Sequence, residues 1–456
     1  MSKKKKASND FDALQQINLH AAGIDVGAEE LYVAVPKGRD IESVRVFGTF
    51  TVDLEQVADW LKRCRVTTVA MESTGVYWIP LFEVLESRGF EVCLVNARHL
   101  KNVPGHKTDV LDCQWLQQLH TYGLLRASFR PPENVCALRA IVRQREMLVH
   151  YRASHIQHMQ KALQQMNIQL TQVLSDITGV TGMKIIRAIV AGERDGHVLA
   201  AYRQAGCAHT ESEIVKALQG HYRREHLLAL RQAVELYDTY GLQIQQCDAE
   251  LQAMYGDLEP PNEPDKSANQ ELSQRQTKRR KNQAHFDLGT FLYRMAGVDL
   301  TRIDGINALT AQAVLSEIGL DMSKWPTDKH FTSWLGLCPQ NEVTGGKVKR
   351  RGTAKTKNRA NTALRLAAQT LWKSDSTMGA FYRRIRAKHG PAIAITASAH
   401  KLARTIYHML KSRTAYIDPG PGVYEARQRE RAVRNLHRQA TRLGFVLTPD
   451  APATVS

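Results

Sequence analysis

The chain changes its hydrophobic rhythm twice. Between about His20 and Phe129 short apolar runs alternate with amphipathic stretches, whereas from Glu133 to Gly256 apolar residues recur every three or four positions. In the first region Ala21 to Val26, Leu31 to Val35 and Val44 to Phe50 read as three strands, the first two joined by Gly27-Ala28-Glu29-Glu30. Asp53 then caps a helix running to about Arg63, and Val66 to Met71 is a fourth strand. A helix from Trp78 to Ser87 stops at Gly89, and Phe90 to Val95 is a fifth strand. In the second region Leu138, Ile141, Val142, Leu148, Ile156, Met159 and Leu163 form a stripe that must be buried. Either a helical bundle within the chain or a coiled-coil seam between two copies would bury it.

Pro260-Pro261, Pro264, many polar residues and the basic cluster Lys278-Arg279-Arg280-Lys281 then interrupt the periodicity. It resumes near Phe286 and lasts to about Ser412, a second, mainly helical domain, after which the chain is polar and basic. The expected divisions are a disordered basic tail (1–17), an α/β domain (18–130), a helical segment (131–256), a linker (257–285), a second domain (286–412) and a loosely ordered basic tail (413–456). Three strands in a meander followed by two helix-linked strands is the plan of the ribonuclease-H-like, or RuvC-like, fold. The expected class is therefore α/β followed by α.

A length of 456 residues calls for more than one domain, and 43% hydrophobic content is ample for their cores. Composition changes the picture mainly through charge. A formal net charge of +17 and a pI near 9.6 point to a polyanionic partner, since Lys and Arg displace counterions from phosphate. No apolar run is long enough to span a bilayer, and Lys3-Lys4-Lys5-Lys6 leads into polar residues rather than an apolar core. Seven scattered cysteines without a C-x-x-C pair read as reduced, buried thiols of a cytoplasmic protein.

Four acids stand where the α/β plan can gather them. Asp25 lies near the end of the first strand in Gly23-Ile24-Asp25-Val26-Gly27, and Glu72 closes the fourth, its neighbour in that fold. Asp109 and Asp112 follow in Lys107-Thr108-Asp109-Val110-Leu111-Asp112, where Thr108 is the expected N-cap and the three-residue step puts both acids on one helix face. Converging carboxylates repel one another unless hard cations such as Mg²⁺ compensate, and one or two Mg²⁺ would polarise a phosphodiester. Singly, each acid is as well explained by a surface turn. The first Asp-Gly segment also suits the phosphate loop of actin-like sugar kinases, but the second Asp-Gly-Gly loop of that fold is missing from the sequence.

The second domain carries weaker signals. Leu300 to Ile306, with Gly305 at its turn, followed by the helical Thr310 to Ile318, suggests a helix-hairpin-helix that offers backbone N–H groups to phosphate; a purely structural helical corner fits as well. Val343-Thr344-Gly345-Gly346-Lys347 opens a basic stretch containing Lys349, Arg350, Arg351, Lys355, Lys357 and Arg359. A hydroxyl beside two glycines and many cations is the composition of a phosphate-handling loop, and equally of a hairpin turn.

With these segments taken together, Leu335-Gly336-Leu337-Cys338-Pro339 included, residues 18 to 412 closely resemble the DEDD transposases of the insertion-sequence one-ten family, one-one-one-one subgroup, which are bridge-RNA-guided recombinases. The resemblance implies a RuvC-like domain, a helical dimerising segment and a transposase domain whose serine forms a covalent phosphoserine link with DNA. It further implies Mg²⁺ at Asp25, Glu72, Asp109 and Asp112, donor and target DNA and a structured guide RNA as partners, homodimers assembling to tetramers, and a cytoplasmic, nucleoid-associated place in a bacterium. The nucleophile position falls on Thr344, where the family has Ser; the extra methyl crowds an in-line attack. Ser333, within an expected helix, is the nearest other hydroxyl. Two other functions fit parts of the sequence: a RuvC-like nuclease hydrolysing branched DNA, and a non-catalytic nucleic-acid-binding scaffold.

Overall fold

The structure is a computed structural model, and it describes residues 15–73, 75–96, 109–257, 282–350, 352–354, 356 and 358–448. The chain forms two compact units, Met1–Arg130 and Pro131–Ser456.

The first unit is a five-stranded mixed sheet with helices. Its strands are β1 (Ala21–Val26), β2 (Leu31–Ala34), β3 (Val44–Phe47), β4 (Thr68–Glu72) and β5 (Glu91–Val95), in the order β3-β2-β1-β4-β5. The meander β1-β2-β3 is antiparallel and β4 and β5 add in parallel, as the ribonuclease-H-like plan requires. The helices are α1 (Thr51–Arg63), α2 (Trp78–Ser87) and α3 (Asp109–Thr121). Ile24, Leu31, Val69, Met71, Trp60, Leu61, Leu81 and Leu85 fill the core, almost free of solvent. The third strand is shorter than expected because Phe50 is already the N-cap of α1. Asp53 occupies the third helical position and accepts a hydrogen bond from the Phe50 N–H at 3.1 Å, so it caps the helix from inside rather than preceding it.

In the second unit two 33-residue helices, α4 (Glu133–Gln165) and α9 (Arg224–Gly256), pack against each other. Between them run the short helices α5 (Leu170–Val173), α6 (Val180–Ala191), α7 (Gly196–Ala200) and α8 (Glu211–Ala217). Met159, Leu163, Ile185, Ile186, Ile189, Leu199 and Leu230 make one buried cluster, so much of the apolar stripe of α4 is covered within the chain. A buried ion pair joins the long helices, Arg145 Nε to Asp248 Oδ1 at 2.5 Å, and His285 Nδ1 meets the other carboxylate oxygen at 2.7 Å.

The remaining elements are α10 (Leu288–Ala296), α11 (Ala308–Ile318), α12 (Asp328–Trp334), the hairpin β6 (Glu342–Thr344) and β7 (Lys347–Arg350), α13 (Arg359–Thr370), α14 (Thr377–His389), α15 (Pro391–Ser412) and α16 (Pro421–Arg442). They are tied to α4 through Arg139 and Arg143, which bind the C-terminal carbonyls of α11 and the carboxylate of Glu317 at 2.8–3.0 Å. The final segment departs from the expectation of a loose tail. Pro421 at the first helical position and an amphipathic composition support 22 residues of helix there, although none of them is buried.

Candidate active site

Asp25 is the fifth residue of β1 and pairs across the meander with Tyr32. On its other side Ile24 pairs with Met71, which brings Glu72, at the end of β4, level with Asp25. The third strut is α3, which lies on β1 because residue 23 is glycine: a Cβ there would meet the Cys113 carbonyl oxygen and the Gln117 nitrogen at 2.3 Å. The far end of α3 is pinned by a buried hydrogen bond between Thr68 Oγ1 and His120 Nε2 at 2.8 Å. Backbone N–H groups of Ile17 and Asn18 bind its Thr121 carbonyl, at 2.8 and 2.9 Å.

That packing aims the first turn of α3 at the tip of β1. Carboxylate oxygens of Asp25, Asp109 and Asp112 lie within 4.8 Å of one another, a spacing that suits a shared cation. Glu72 is not a member of this tight set, but its charge is the strongest single electrostatic influence on Asp25. Burial and then the fields of Glu72, Asp109 and Asp112 push the Asp25 carboxyl up to about 6, against one backbone hydrogen bond from Val26 that works the other way. Burial, followed by the field of Asp25, likewise drives the neighbouring Cys113 thiol up to about 12, which keeps it a neutral filler. The donor set therefore fits a hard divalent cation: oxygen ligands only, mutual repulsion, and a carboxyl whose ionisation a cation would restore. Thr108 and Lys107 lie outside the described residues.

Two neighbours of the cluster carry no site role in the sequence reading. Gly23 sets the approach of α3, and a glycine inside a strand is the signal for such an approach. Tyr32 faces Asp25 across the sheet register and hydrogen-bonds Glu30 at 2.8 Å. That bond, with the fields of Glu30, Asp109 and Asp25, raises its phenol above the ordinary value.

In the second unit Thr344 ends β6 and pairs with Lys347 across a two-residue turn. Gly345 and Gly346 both adopt positive φ, 56° and 74°, as a tight hairpin of the primed type requires. Thr344, Lys347 and Lys349 are exposed. Arg350 belongs to β7, while Arg351, Lys355 and Lys357 lie outside the described residues. Arg359 opens α13 and its guanidinium reaches Glu146 at 2.7 Å. Ser333 sits on α12, exposed. Gly305 has φ +86° and faces α13, where a Cβ would stand 2.8 Å from the Ala367 carbonyl oxygen; close packing alone accounts for glycine there. A 3₁₀ turn (Leu300–Arg302) precedes it, and Asn307 caps α11 by accepting a hydrogen bond from the Thr310 N–H at 2.8 Å.

Two family models match the chain. One, for DEDD transposases of the IS110 type and described as "Transposase", covers residues 22–168 and so takes in all four acids. The other, described as "Transposase IS116/IS110/IS902 family", covers residues 299–383, from the Gly305 corner through the Thr344 hairpin into α14. No curated protein matches the chain. Two transposase models in this order, the first spanning the sheet and its carboxylate cluster, identify an enzyme acting on DNA, and the chain belongs to the IS110 family of DEDD transposases.

Proposed function

We propose that this protein is an RNA-guided, site-specific DNA recombinase in which Asp25, Glu72, Asp109 and Asp112 hold Mg²⁺ and the Thr344 hydroxyl forms a transient bond to DNA phosphorus. The observation that carries the proposal is the convergence of Asp25, Asp109 and Asp112 within 4.8 Å on the β1–α3 junction. Glu72, on β4 at the other side of β1 from the strand that carries Tyr32, would complete the set that holds the cation.

When bound there, Mg²⁺ supplies positive charge to the scissile phosphate and to the oxygens that enter and leave. The residues of the chain do the rest. The sheet and Gly23 keep the carboxylates preorganised, so little reorganisation accompanies the reaction. At Thr344 the phosphorus exchanges its bond to a deoxyribose oxygen for one to Oγ, and the hydroxyl proton passes to the leaving oxygen. Attack by a deoxyribose hydroxyl of a second DNA end reverses the exchange and joins the strands. Lys347 and Lys349, on the same hairpin, offset phosphate charge. A structured RNA as guide accords with the +17 charge, which favours polyanionic partners.

The deciding experiment traps the reaction on a nicked DNA substrate and maps any adduct by peptide sequencing. DNA on the peptide containing Val343-Thr344-Gly345-Gly346 supports the covalent route. Cleavage with no adduct, retained in Thr344→Ala, identifies a hydrolase in which water attacks. RNA that copurifies with the protein, and is required for choice of DNA site, tests the guide.

A further inference from the structure

A cleft of about 970 Å³ opens in the second unit between α14, α15 and α16, with Asn341 and Gly352, which flank the Thr344 hairpin, among its lining residues. Ile393, Ala397 and Leu337 give it an apolar wall, and Phe381 and Tyr424, both lining it, pack edge to face with ring centroids 6.4 Å apart. Its charge has one sign, since no Asp or Glu lines it among the described residues. Arg404 is engaged with Asp328 at 2.5 Å, but Lys401, Arg384, Arg427 and Arg431 also reach the cleft. The Lys401 ammonium sits 4.8 Å from the Phe381 centroid and 5.4 Å from that of Tyr424, and Arg384 Nε donates to the Tyr424 hydroxyl at 2.7 Å. Burial holds Lys401 below its ordinary range; Asp418 works against that shift and Arg384 adds to it.

The cleft continues into a track. Along α16, Arg427, Arg431, Arg434, Arg438 and Arg442 recur at steps of four, three, four and four, which puts them on one helix face together with Tyr424. The stripe begins inside the cleft and runs about 22 Å at 1.5 Å per residue, the reach of roughly six or seven phosphates of one strand at about 3.4 Å each. Like charges four apart destabilise a helix; Glu430, three residues after Arg427 and four before Arg434, offsets only part of that repulsion, and the helix buries no side chain. Near its start it is attached through the Thr377 hydroxyl, which donates to the Gly420 carbonyl at 3.0 Å, and through Tyr424. Beyond Glu430 the helix has no further acid, and a polyanion along Arg434, Arg438 and Arg442 would supply the rest of the compensation.

We infer that the cleft and the arginine face of α16 form a binding site for an unpaired nucleic-acid strand, with a base against Phe381, Tyr424 and Ile393 and the phosphates along Arg427 to Arg442. A duplex has no free base face to place against the aromatic and apolar wall, whereas a single strand offers both π-faces and phosphates. The volume suits a nucleotide-sized group. The inference rests on the reading of the chain as a nucleic-acid enzyme and adds the strand, the surface and the residues.

Fluorescence anisotropy of the full chain with labelled twelve-nucleotide dT and U oligonucleotides and a twelve-base-pair duplex tests it, the two single strands separating DNA from RNA as the source. Arg427→Ala/Arg431→Ala/Arg434→Ala, all exposed positions, should weaken single-strand binding roughly tenfold or more, because three charge-assisted phosphate contacts are lost. It should also flatten the dependence of log K on log salt by about 2, three times the single-strand value of about 0.7 per phosphate. Ile393→Glu, at an exposed wall position, should weaken the same complex by putting a carboxylate in the cleft. Unchanged affinity and salt slope in both variants, or a loss confined to the duplex, would overturn the inference. If Asp25→Ala abolishes cleavage while the arginine variant binds single strands normally, only the cleft is refuted. If the arginine variant loses the strand while Asp25→Ala cleaves at the wild-type rate, the acidic-site reading fails and the cleft stands.

Discussion

The two chemistry-bearing regions are built in opposite ways. Asp25 and Glu72 stand at the ends of two strands whose apolar residues are buried, and Asp109 and Asp112 on a helix pressed against the first of them. Thr344 stands at the exposed end of a three-residue strand, beside a turn of two glycines. In the first arrangement burial, and then repulsion from Glu72, Asp109 and Asp112, raises the Asp25 carboxyl. The second is an exposed hairpin held by its own strand pairing and two positive-φ glycines. In the reaction proposed above, the acids on the sheet and α3 would stay fixed while the phosphate attacked by the Thr344 hydroxyl changes partners.

This contrast is testable at several strengths. The largest effect belongs to the rigid site: Asp25→Ala, Asp109→Ala or Asp112→Ala should each lower DNA cleavage roughly a thousandfold or more, the loss of several kcal/mol of transition-state stabilisation, with circular dichroism unchanged. Wild-type rates in any two would remove the metal site. In the exposed hairpin, Thr344→Ala should abolish the adduct and recombination, whereas Thr344→Ser should keep both and react faster for want of the crowding methyl. An adduct on Ser333 would move the nucleophile to α12.

Gly23→Ala measures how rigid the frame is. With backbone atoms 2.3 Å from the new Cβ, denaturant titration should register a loss of about 3 kcal/mol, the upper end for overpacking. Gly346→Ala is the counterpart in the hairpin, where positive φ alone is at stake and about 1 kcal/mol should be lost. Equal costs at the two positions would dissolve the contrast.

The smallest effect is a pH signature. Because the folded carboxyl of Asp25 titrates at about 6 and its ordinary value is 3.8, the native state holds a proton that the unfolded chain releases between those pH values. Stability of the metal-free protein therefore falls as pH rises through that window, and the deficit remains above it. Asp25→Asn should raise the melting temperature in chelator by about 2–4 °C at pH 8 and by almost nothing at about pH 3, below the unfolded value, the gain kept small by partial solvent screening. With Mg²⁺ present the sign should reverse, since the variant loses a ligand. A gain that is independent of pH would show that Asp25 carries no such burden.

Much of the first unit could be read in the chain before folding. The five strands, the helices at Thr51–Arg63 and Trp78–Ser87 and the candidate acids follow from periodicity, caps and the three-residue step between Asp109 and Asp112, all of which act within a few residues. The helix at Pro421–Arg442 was signalled only by a Gly-Pro start, because its apolar positions are too few to stand out against the arginines. The Gly-Gly turn after Thr344 was legible as a hairpin, since positive φ at two successive positions selects glycine locally.

Other properties depend on groups distant in sequence and exist only once they meet. The tight set of Asp25, Asp109 and Asp112, with Glu72 beside it, arises because β4 inserts parallel to β1 and Gly23 lets α3 touch the sheet. The burial of the α4 stripe against α9 and the short helices, where a seam between copies fitted the pattern equally well, is likewise a matter of which surface arrives first at high local concentration. The one-signed cleft between α14, α15 and α16 draws its residues from segments up to 94 positions apart, Leu337 to Arg431. Local patterns encode backbone shape because their energies act over one or two turns, whereas carboxylate repulsion, close helix approach and a shared cleft are energies of proximity, and proximity between distant segments is what the fold creates.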